Sequence, residues 1–299
     1  MEPLTRTRVS HPAQKGLRAT LLSIVANLGM VAIKALAGYF GNSYALIADA
    51  IESASDVFTS FIVWIGLRAA SKEPDQDHPY GHGKAEPLAT IVVALSLIAA
   101  AIFISIQSVE HIITPHRAPA PFTLILLIII ILVKESLYRY SNRVGSEIES
   151  AAVKADAWHH RSDAITSLTA AIGIAIALIG GPGYESADDW AALIASVIIV
   201  INAYRIFMPA FTEIMDAAPP SAFADEIRLI AATVPGVQGL DKCLVRKMGF
   251  EYFVDLHVIV NASLTVKEGH DIAHAVKAEI MRGKPSVYDV LVHIEPTED

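Results

Sequence analysis

Two stretches of the chain combine carboxylates and imidazoles at helical spacing. They read ADAIESASD in the first third of the sequence and ADAWHHRSD just past its middle. Each holds two metal-binding side chains four residues apart, Glu52 and Asp56 in the first and His159 and Asp163 in the second. That spacing puts both members of a pair on one helix face. If the two helices pack together, the four side chains suit a tetrahedral divalent ion such as zinc, and also accept iron(II), cobalt or manganese.

The elements that carry these stretches belong to a membrane protein. Of 299 residues, 53% are hydrophobic and 18% are charged, and the mean hydropathy of +0.46 is too high for a soluble domain of this length. Long apolar runs fill residues 1–210, whereas residues 211–299 mix charge and hydrophobicity as a soluble domain does. The net charge of −8 argues against nucleic acid as a partner. The single cysteine, Cys243, excludes an intramolecular disulfide.

Six apolar segments are long enough to cross about 30 Å of hydrocarbon as helices. They run approximately over Leu17–Phe40, Tyr44–Leu67, Pro87–Val109, Phe122–Tyr138, Ala151–Ile179 and Trp190–Phe207. Lys and Arg concentrate before the first segment and after the second and fourth, so we expect both termini in the cytoplasm. The two motifs then lie on spans two and five, which cross in opposite directions as in an inverted repeat. The alternative is chance convergence on a helix-packing pattern.

The ionisable groups of the two motifs need a partner or a function inside a membrane. An Asp at the centre of a span costs about 2.5–3.5 kcal/mol on the insertion scale. Carboxylates that share a dry pocket cannot all remain ionised, so the binding of a metal ion must release protons. That exchange is the minimum that metal–proton antiport requires. The alternative is a polar network or a salt-bridged bundle interior. The sequence disfavours it, because no Lys or Arg on these two spans is placed to neutralise the acids.

A third group of ligand types lies in the loop between spans two and three, where the sequence reads DQDHPYGHGK. His78, His82 and one of Asp75 or Asp77 could hold a metal ion near the cytoplasmic surface. A loop rich in Asp, His, Pro and Gly is otherwise only a solvated turn.

Residues 211–299 predict a small α+β domain. Helical patterns alternate with strand patterns, in the order Ala222–Thr233, Lys242–Met248, Tyr252–Val260, Val266–Met281 and Val287–Ile294. The order α-β-β-α-β indicates a sheet with helices on one face. Adjacent strands could bring His257, His293 and Glu295 together, although a half-exposed histidine is usually only a surface residue.

Together these motifs resemble the cation diffusion facilitator (CDF) family, and the likeness covers nearly the whole chain. It rests on the ExxxD of span two with the preceding LIADA, the ADxxHxxSD of span five, the loop HPYGHGKAE and the α-β-β-α-β tail. The resemblance implies a homodimer with six spans in each protomer and a ferredoxin-like cytoplasmic domain. It also implies that divalent metal leaves the cytoplasm in exchange for entering protons.

The resemblance assigns three metal sites to this sequence. They are a transport site at Glu52, Asp56, His159 and Asp163, a loop site at Asp75, His78 and His82, and a tail site at Asp241, His257, His270, His293 and Glu295. In the family the tail dimerises and responds to metal. The absence of a His-rich loop between spans four and five favours a bacterial exporter of the ferrous-iron or zinc type.

Two positions depart from the family pattern. Members with a zinc preference usually carry His or Asp where this chain has Glu52, which leaves the identity of the metal open. Asp241 stands where some bacterial members have His, which should soften the selectivity of the tail site.

The sequence therefore predicts a proton-coupled antiporter that exports divalent cations by alternating access. Zinc or iron(II) is the expected cargo, and cobalt, cadmium and manganese are also acceptable. We expect a multi-pass protein of the cell (inner) membrane that meets lipid, protons and a second copy of itself, without a prosthetic group. One rival is a membrane-embedded metalloenzyme, for which neither an HExxH nor a nucleophile motif is present. The other is a metal-responsive regulator or partner subunit that does not transport.

Overall fold

Six long helices followed by a small α+β unit make up the chain. The computed structural model describes residues 12–40, 44–113, 123–180 and 187–297. The chain divides into two compact units, Met1–Ala210 and Phe211–Asp299. The long helices are α1 (Pro12–Phe40), α2 (Tyr44–Ala70), α3 (Ala85–Ile113), α4 (Thr123–Glu147), α5 (Ala151–Gly180) and α6 (Ala187–Ile214).

The long helices expose many large apolar side chains and bury several polar and charged ones. Each of the six carries exposed large hydrophobic residues, for example Val25, Phe58, Ile106, Ile128, Ile172 and Val197. Within the part of the chain that is described, α1, α3 and α6 are long and apolar enough to cross a membrane. Helices α2, α4 and α5 carry charged side chains in their interiors, among them Asp56, Lys134 and Asp163. This outward apolar surface is typical of a helical transmembrane domain.

Helix α4 extends well beyond the apolar segment that predicted it. The apolar run ends near Tyr138, whereas the helix continues to Glu147. Two ion pairs with i,i+4 spacing support the added turns, Arg139 to Glu135 at 2.7 Å and Arg143 to Glu147 at 3.2 Å. Hydropathy therefore located the span but not the polar end of the helix.

The start of α5 is fixed to the start of α3. Ser150 caps α5, since its Oγ accepts the backbone N–H of Val153 at 3.2 Å. The same hydroxyl donates to Glu86 Oε1 at 2.5 Å, and this buried carboxylate also accepts the N–H of Ala152 at 3.3 Å. A carboxylate at a helix N-terminus is stabilised by the helix dipole. These contacts set the position of the helix that carries the second motif.

The second unit has the predicted order α-β-β-α-β. Its elements are α7 (Ser221–Ala232), β1 (Gly239–Met248), β2 (Glu251–Val260), α8 (Val266–Gly283) and β3 (Val287–Pro296). The sheet order is β1-β2-β3, with β1 antiparallel and β3 parallel to β2. The predicted fold class, a helical membrane domain with an α+β tail, is confirmed.

Alternation along β2 decides which side chains face the helices. Val254, Leu256 and Val258 are buried in one core with Val276 and Ile280 of α8. Because successive side chains of a strand point to opposite faces, the residues between them lie on the open face of the sheet. That face carries His257 of β2 and its register partner His293 of β3.

Close packing of α2 on α3 at Gly66 gives a stability prediction. A Cβ atom at Gly66 would overlap the Cβ of Ala89, so one helix must move. We expect Gly66→Ala to cost about 1–3 kcal/mol of stability. Gly29→Ala is the matched control, because the added methyl would meet no atom of the described residues within 4 Å. The measurement is the thermal unfolding midpoint of both variants in detergent. We expect a lower midpoint for Gly66→Ala alone, and equal shifts for the two variants would contradict this packing.

Candidate metal sites

Side chains that could hold a metal ion gather at three places within the described residues. The groups are Asp56, His159 and Asp163; Asp75, His78 and His82; and His257, His293 and Glu295. In each group, one ligand atom from every residue lies within 4.8 Å of the others. Each group is therefore compact enough for a single ion to bridge its members after small side-chain movements.

The first cluster joins helices α2 and α5. His159 Nε2 lies 3.0 Å from Asp56 Oδ1 and 3.9 Å from Asp163 Oδ2. Asp56 and His159 are buried and Asp163 is half-buried. Glu52 lies one turn before Asp56 on α2, and its side chain is outside the part of the chain that the structure describes. The predicted meeting of the two motifs is therefore seen for three of their four side chains.

A lysine from a third helix enters this cluster. Lys134 of α4 is 2% exposed, and its Nζ donates to Asp56 Oδ2 at 2.7 Å and to Asp163 Oδ2 at 2.8 Å. The lack of a neutralising Lys or Arg on spans two and five is therefore not decisive, because the cation comes from span four. The signal was present, because a Lys within the apolar run ILVKESLY is costly unless it has a partner or a function. The carboxylates are thus neutralised in part.

Asp156 joins the same two helices beside the cluster. It is 1% exposed and its Oδ1 accepts a hydrogen bond from Ser60 Oγ of α2 at 2.7 Å. The side chain of Asp49, the matching residue of the first motif, lies outside the described residues. We interpret Asp156 as a contact that aligns α2 with α5.

The second cluster lies in the loop between α2 and α3. Asp75 stands between two imidazoles, with Oδ1 3.2 Å from His78 Nδ1 and Oδ2 3.4 Å from His82 Nε2. Its Oδ1 also accepts the backbone N–H groups of His78 at 2.7 Å and Asp77 at 3.1 Å. The His78 N–H, together with the nearby imidazoles, holds the pKa of Asp75 below its usual range. Of the two loop acids left open by the sequence, Asp75 is the one that faces the histidines as an anion.

The third cluster lies on the open face of the tail sheet. His257 and His293 are register partners on β2 and β3, and their ring centroids are 4.8 Å apart. Glu295 Oε1 lies 2.7 Å from His257 Nδ1 and 4.0 Å from His293 Nε2. Parallel pairing of two strands that each carry an outward histidine therefore produces a three-ligand group.

Two other residues predicted for the tail site lie elsewhere in the unit. His270 is on α8, which covers the opposite face of the sheet, and its ring lies 4.4 Å from that of His274. Asp241 lies at the irregularity of β1, and β2 separates that strand from β3. Within one protomer, neither residue is grouped with His257. The sequence pattern could not show this, since it does not say which sheet face a helix covers.

This difference gives a prediction for the tail cluster. We expect His257→Ala to weaken zinc binding by the tail at least ~10-fold, since even the loss of a residue behind a metal ligand costs this much. His270→Ala is the control, and should leave tail binding near wild type. The measurement is the zinc-dependent rise in the unfolding midpoint of the tail in the full-length protein. Equal losses for the two variants would show that His270 belongs to the same site.

Known proteins match the chain along nearly its whole length. A family model described as the cation efflux transmembrane domain matches residues 20–215, and one described as the cytoplasmic domain of cation efflux proteins matches residues 219–297. The manganese efflux system protein MneP of Bacillus subtilis is 33% identical over 291 residues, covering 96% of this chain and 98% of its own. The uncharacterized transporter MJ0449 of Methanocaldococcus jannaschii is 36% identical over 276 residues, covering 92% and 96%.

Among solved structures, similarity is found for the tail. The nickel form of a MamM CTD variant with a Glu-to-His substitution is 27% identical, covering 26% of this chain and 99% of that chain, with a TM-score of 0.26. The magnetosome protein MamM of Paramagnetospirillum magneticum is 31% identical, covering 87% of this chain and 81% of its own. From the two family models and these relatives, we conclude that the chain belongs to the cation diffusion facilitator, or cation efflux, family of metal transporters.

Proposed function

We propose that the protein is a proton-coupled antiporter that exports divalent metal cations from the cytoplasm by alternating access. The observation that carries this proposal is the cluster of Asp56, His159 and Asp163 inside the helical unit. Glu52, one turn before Asp56, is the proposed fourth ligand. Carboxylate and imidazole donors on two different helices form a site that relative movement of the helices can open or close.

The ligand chemistry and the relatives together suggest the cargo. An imidazole beside carboxylates suits zinc and iron(II), which we propose as the main cargo. MneP is described as a manganese efflux protein, and a set rich in oxygen donors also accepts manganese. Manganese, cobalt and cadmium therefore belong in the same competition assay.

The proposed proton coupling follows from the need for deprotonated ligands. An ion that binds to carboxylates and a neutral imidazole displaces any protons that they carry. Lys134 offsets one negative charge of the metal-free cluster, which leaves His159 and the remaining carboxylates to exchange protons with the metal. When the site opens outward, reprotonation of these groups favours release of the ion.

The rest of the chain takes supporting roles in this proposal. All six long helices cross the membrane, and the distribution of Lys and Arg puts both termini in the cytoplasm. The tail pairs with that of a second copy. Metal at the loop and tail clusters acts as a regulatory ligand rather than as cargo. The protein needs no prosthetic group and catalyses no covalent chemistry.

Uptake into inside-out membrane vesicles tests the proposal. With an acidic lumen, zinc, iron(II) or manganese added outside should accumulate inside, and a protonophore should abolish the accumulation. Vesicles without the protein are the control. If no metal accumulates while metal still stabilises the tail, the protein is instead the metal-responsive regulator considered above.

A further inference from the structure

Lys134 puts a fixed positive charge among ligands that would bind a metal ion. An ammonium group has three donors, and in this structure three oxygens surround Nζ. They belong to Asp56 at 2.7 Å, Asp163 at 2.8 Å and Asn27 at 3.3 Å. The ammonium group therefore binds the two carboxylates much as a metal ion would.

A metal ion and this ammonium group cannot hold the same oxygens at once. Zinc binds carboxylate oxygens at about 2.0–2.2 Å, so an ion held by Asp56 Oδ2 and Asp163 Oδ2 would come close to Nζ. Charges at that separation repel strongly in a buried site, where solvent screens them little. Lys134 is 2% exposed. Either the metal stays out or the lysine side chain moves away.

We propose that Lys134 is a tethered competitor for the transport site, whose ammonium group occupies Asp56 and Asp163 when no metal is bound and swings aside when metal enters. The inference rests on the proposed function, because it takes these residues as the transport ligands. A carrier needs a site that binds its ion and then releases it. A tethered cation lowers the affinity for metal and takes over the carboxylates as the ion departs.

A purely structural salt bridge predicts the opposite behaviour. Breaking a buried ion pair by removing one partner is strongly destabilising, because a charge stays behind without compensation. If Lys134 only held α4 against α2 and α5, its loss would distort the ligands and weaken metal binding. If it competes with the metal, its loss strengthens binding. The sign of the change in affinity separates the two roles.

The test is zinc titration of the full-length protein by calorimetry. The background carries His78→Ala and His257→Ala, so that the loop and tail clusters no longer compete for the ion. We expect Lys134→Met, which keeps the length and removes the charge, to bind zinc ~10-fold or more tightly than this background. Lys134→Arg keeps the charge and should stay near the background affinity. In transport, Lys134→Met should show a lower KM together with a lower maximal rate. Equal or weaker zinc binding by Lys134→Met overturns the inference.

A second variant separates this inference from the proposed function. Asp163→Asn in the same background should lose the remaining zinc binding. If Asp163→Asn binds zinc as tightly as the background, the proposed transport site is wrong. If Asp163→Asn loses binding while Lys134→Met gains none, the transport site stands and only the competitor role fails.

A measurement without a charge-removing variant covers the case in which Lys134→Met does not fold. In the same background labelled with 15N-lysine, the ammonium signal missing from Lys134→Arg identifies Lys134 in the NMR spectrum. One equivalent of zinc should shift this signal as Nζ leaves the carboxylates. An unchanged signal in zinc-saturated protein overturns the inference.

Discussion

Asp163→Ala is expected to reduce metal transport at least ~100-fold. Removing a residue that only supports a metal ligand already costs up to ~100-fold, and Asp163 is itself a proposed ligand. The substitution takes away one of the three proposed ligands in the described cluster and one of the two carboxylates that bind Lys134. The ammonium group then has Asp56 as its remaining carboxylate partner in the cluster. The measurement is the initial rate of zinc uptake into inside-out vesicles, normalised to the amount of protein in the membrane.

A surface acid on the same unit serves as the matched control. Glu135 follows Lys134 on α4 and pairs with Arg139 at 2.7 Å in an i,i+4 ion pair. Such surface pairs contribute about 0–1 kcal/mol, so Glu135→Ala should transport zinc at close to the wild-type rate. Uptake by Asp163→Ala at the rate of Glu135→Ala would remove Asp163 from the transport site.

Metal preference is expected to change when the ligand type is changed at Glu52 or His159, which occupy the same place in the two motifs. His159→Asp replaces the described imidazole of the cluster with a harder oxygen donor, and should raise the preference for manganese over zinc ~10-fold or more. Glu52→His adds a second imidazole and should move the preference towards zinc by a similar factor. The measurement is the competition of zinc and manganese in one vesicle uptake assay.

The control for this exchange keeps the chemical class of the ligand. Glu52→Asp shortens the side chain but retains the carboxylate, so the order of the two metals should match that of the wild type. Unchanged metal order in both His159→Asp and Glu52→His would show that selectivity is decided away from these two positions.

The long helices follow from the sequence chiefly because long apolar runs specify them. The run Ala151–Ile179 predicted α5 to within one residue at its C-terminal end. Its N-terminal end is the predicted one, because Ser150 caps the helix there. Helix α4 was predicted less well, because ion pairs rather than apolar residues extend it beyond Tyr138. Hydropathy measures transfer into lipid and says nothing about polar turns beyond it.

The grouping of side chains in the candidate clusters was predictable where the period of a helix or a strand determines which residues share a face. Four-residue spacing put His159 and Asp163 on one face, and two-residue alternation put His257 and Glu295 where strand pairing could join them. Contacts that depend on which elements are neighbours were not predictable in this way. Lys134 reaches the cluster because α4 packs against α5, and His270 misses the tail cluster because α8 covers the other face of the sheet.

The loop shows the same limit on a smaller scale. Both Asp75 and Asp77 have the right chemistry, and spacing does not distinguish them. Backbone geometry does, because the carboxylate of Asp75 turns back to accept the N–H groups of Asp77 and His78. This turn points Asp75 at both imidazoles.

The most direct test of the central claim is to locate the ion itself by anomalous diffraction from crystals of the full-length protein grown with zinc. The account predicts a zinc peak between α2 and α5, about 2.0–2.2 Å from His159 and from carboxylate oxygens of Asp56 and Asp163. The loop and tail clusters can hold further peaks without affecting this result. Zinc peaks at those two clusters, with none between α2 and α5 in crystals of a protein that transports zinc, would contradict the account.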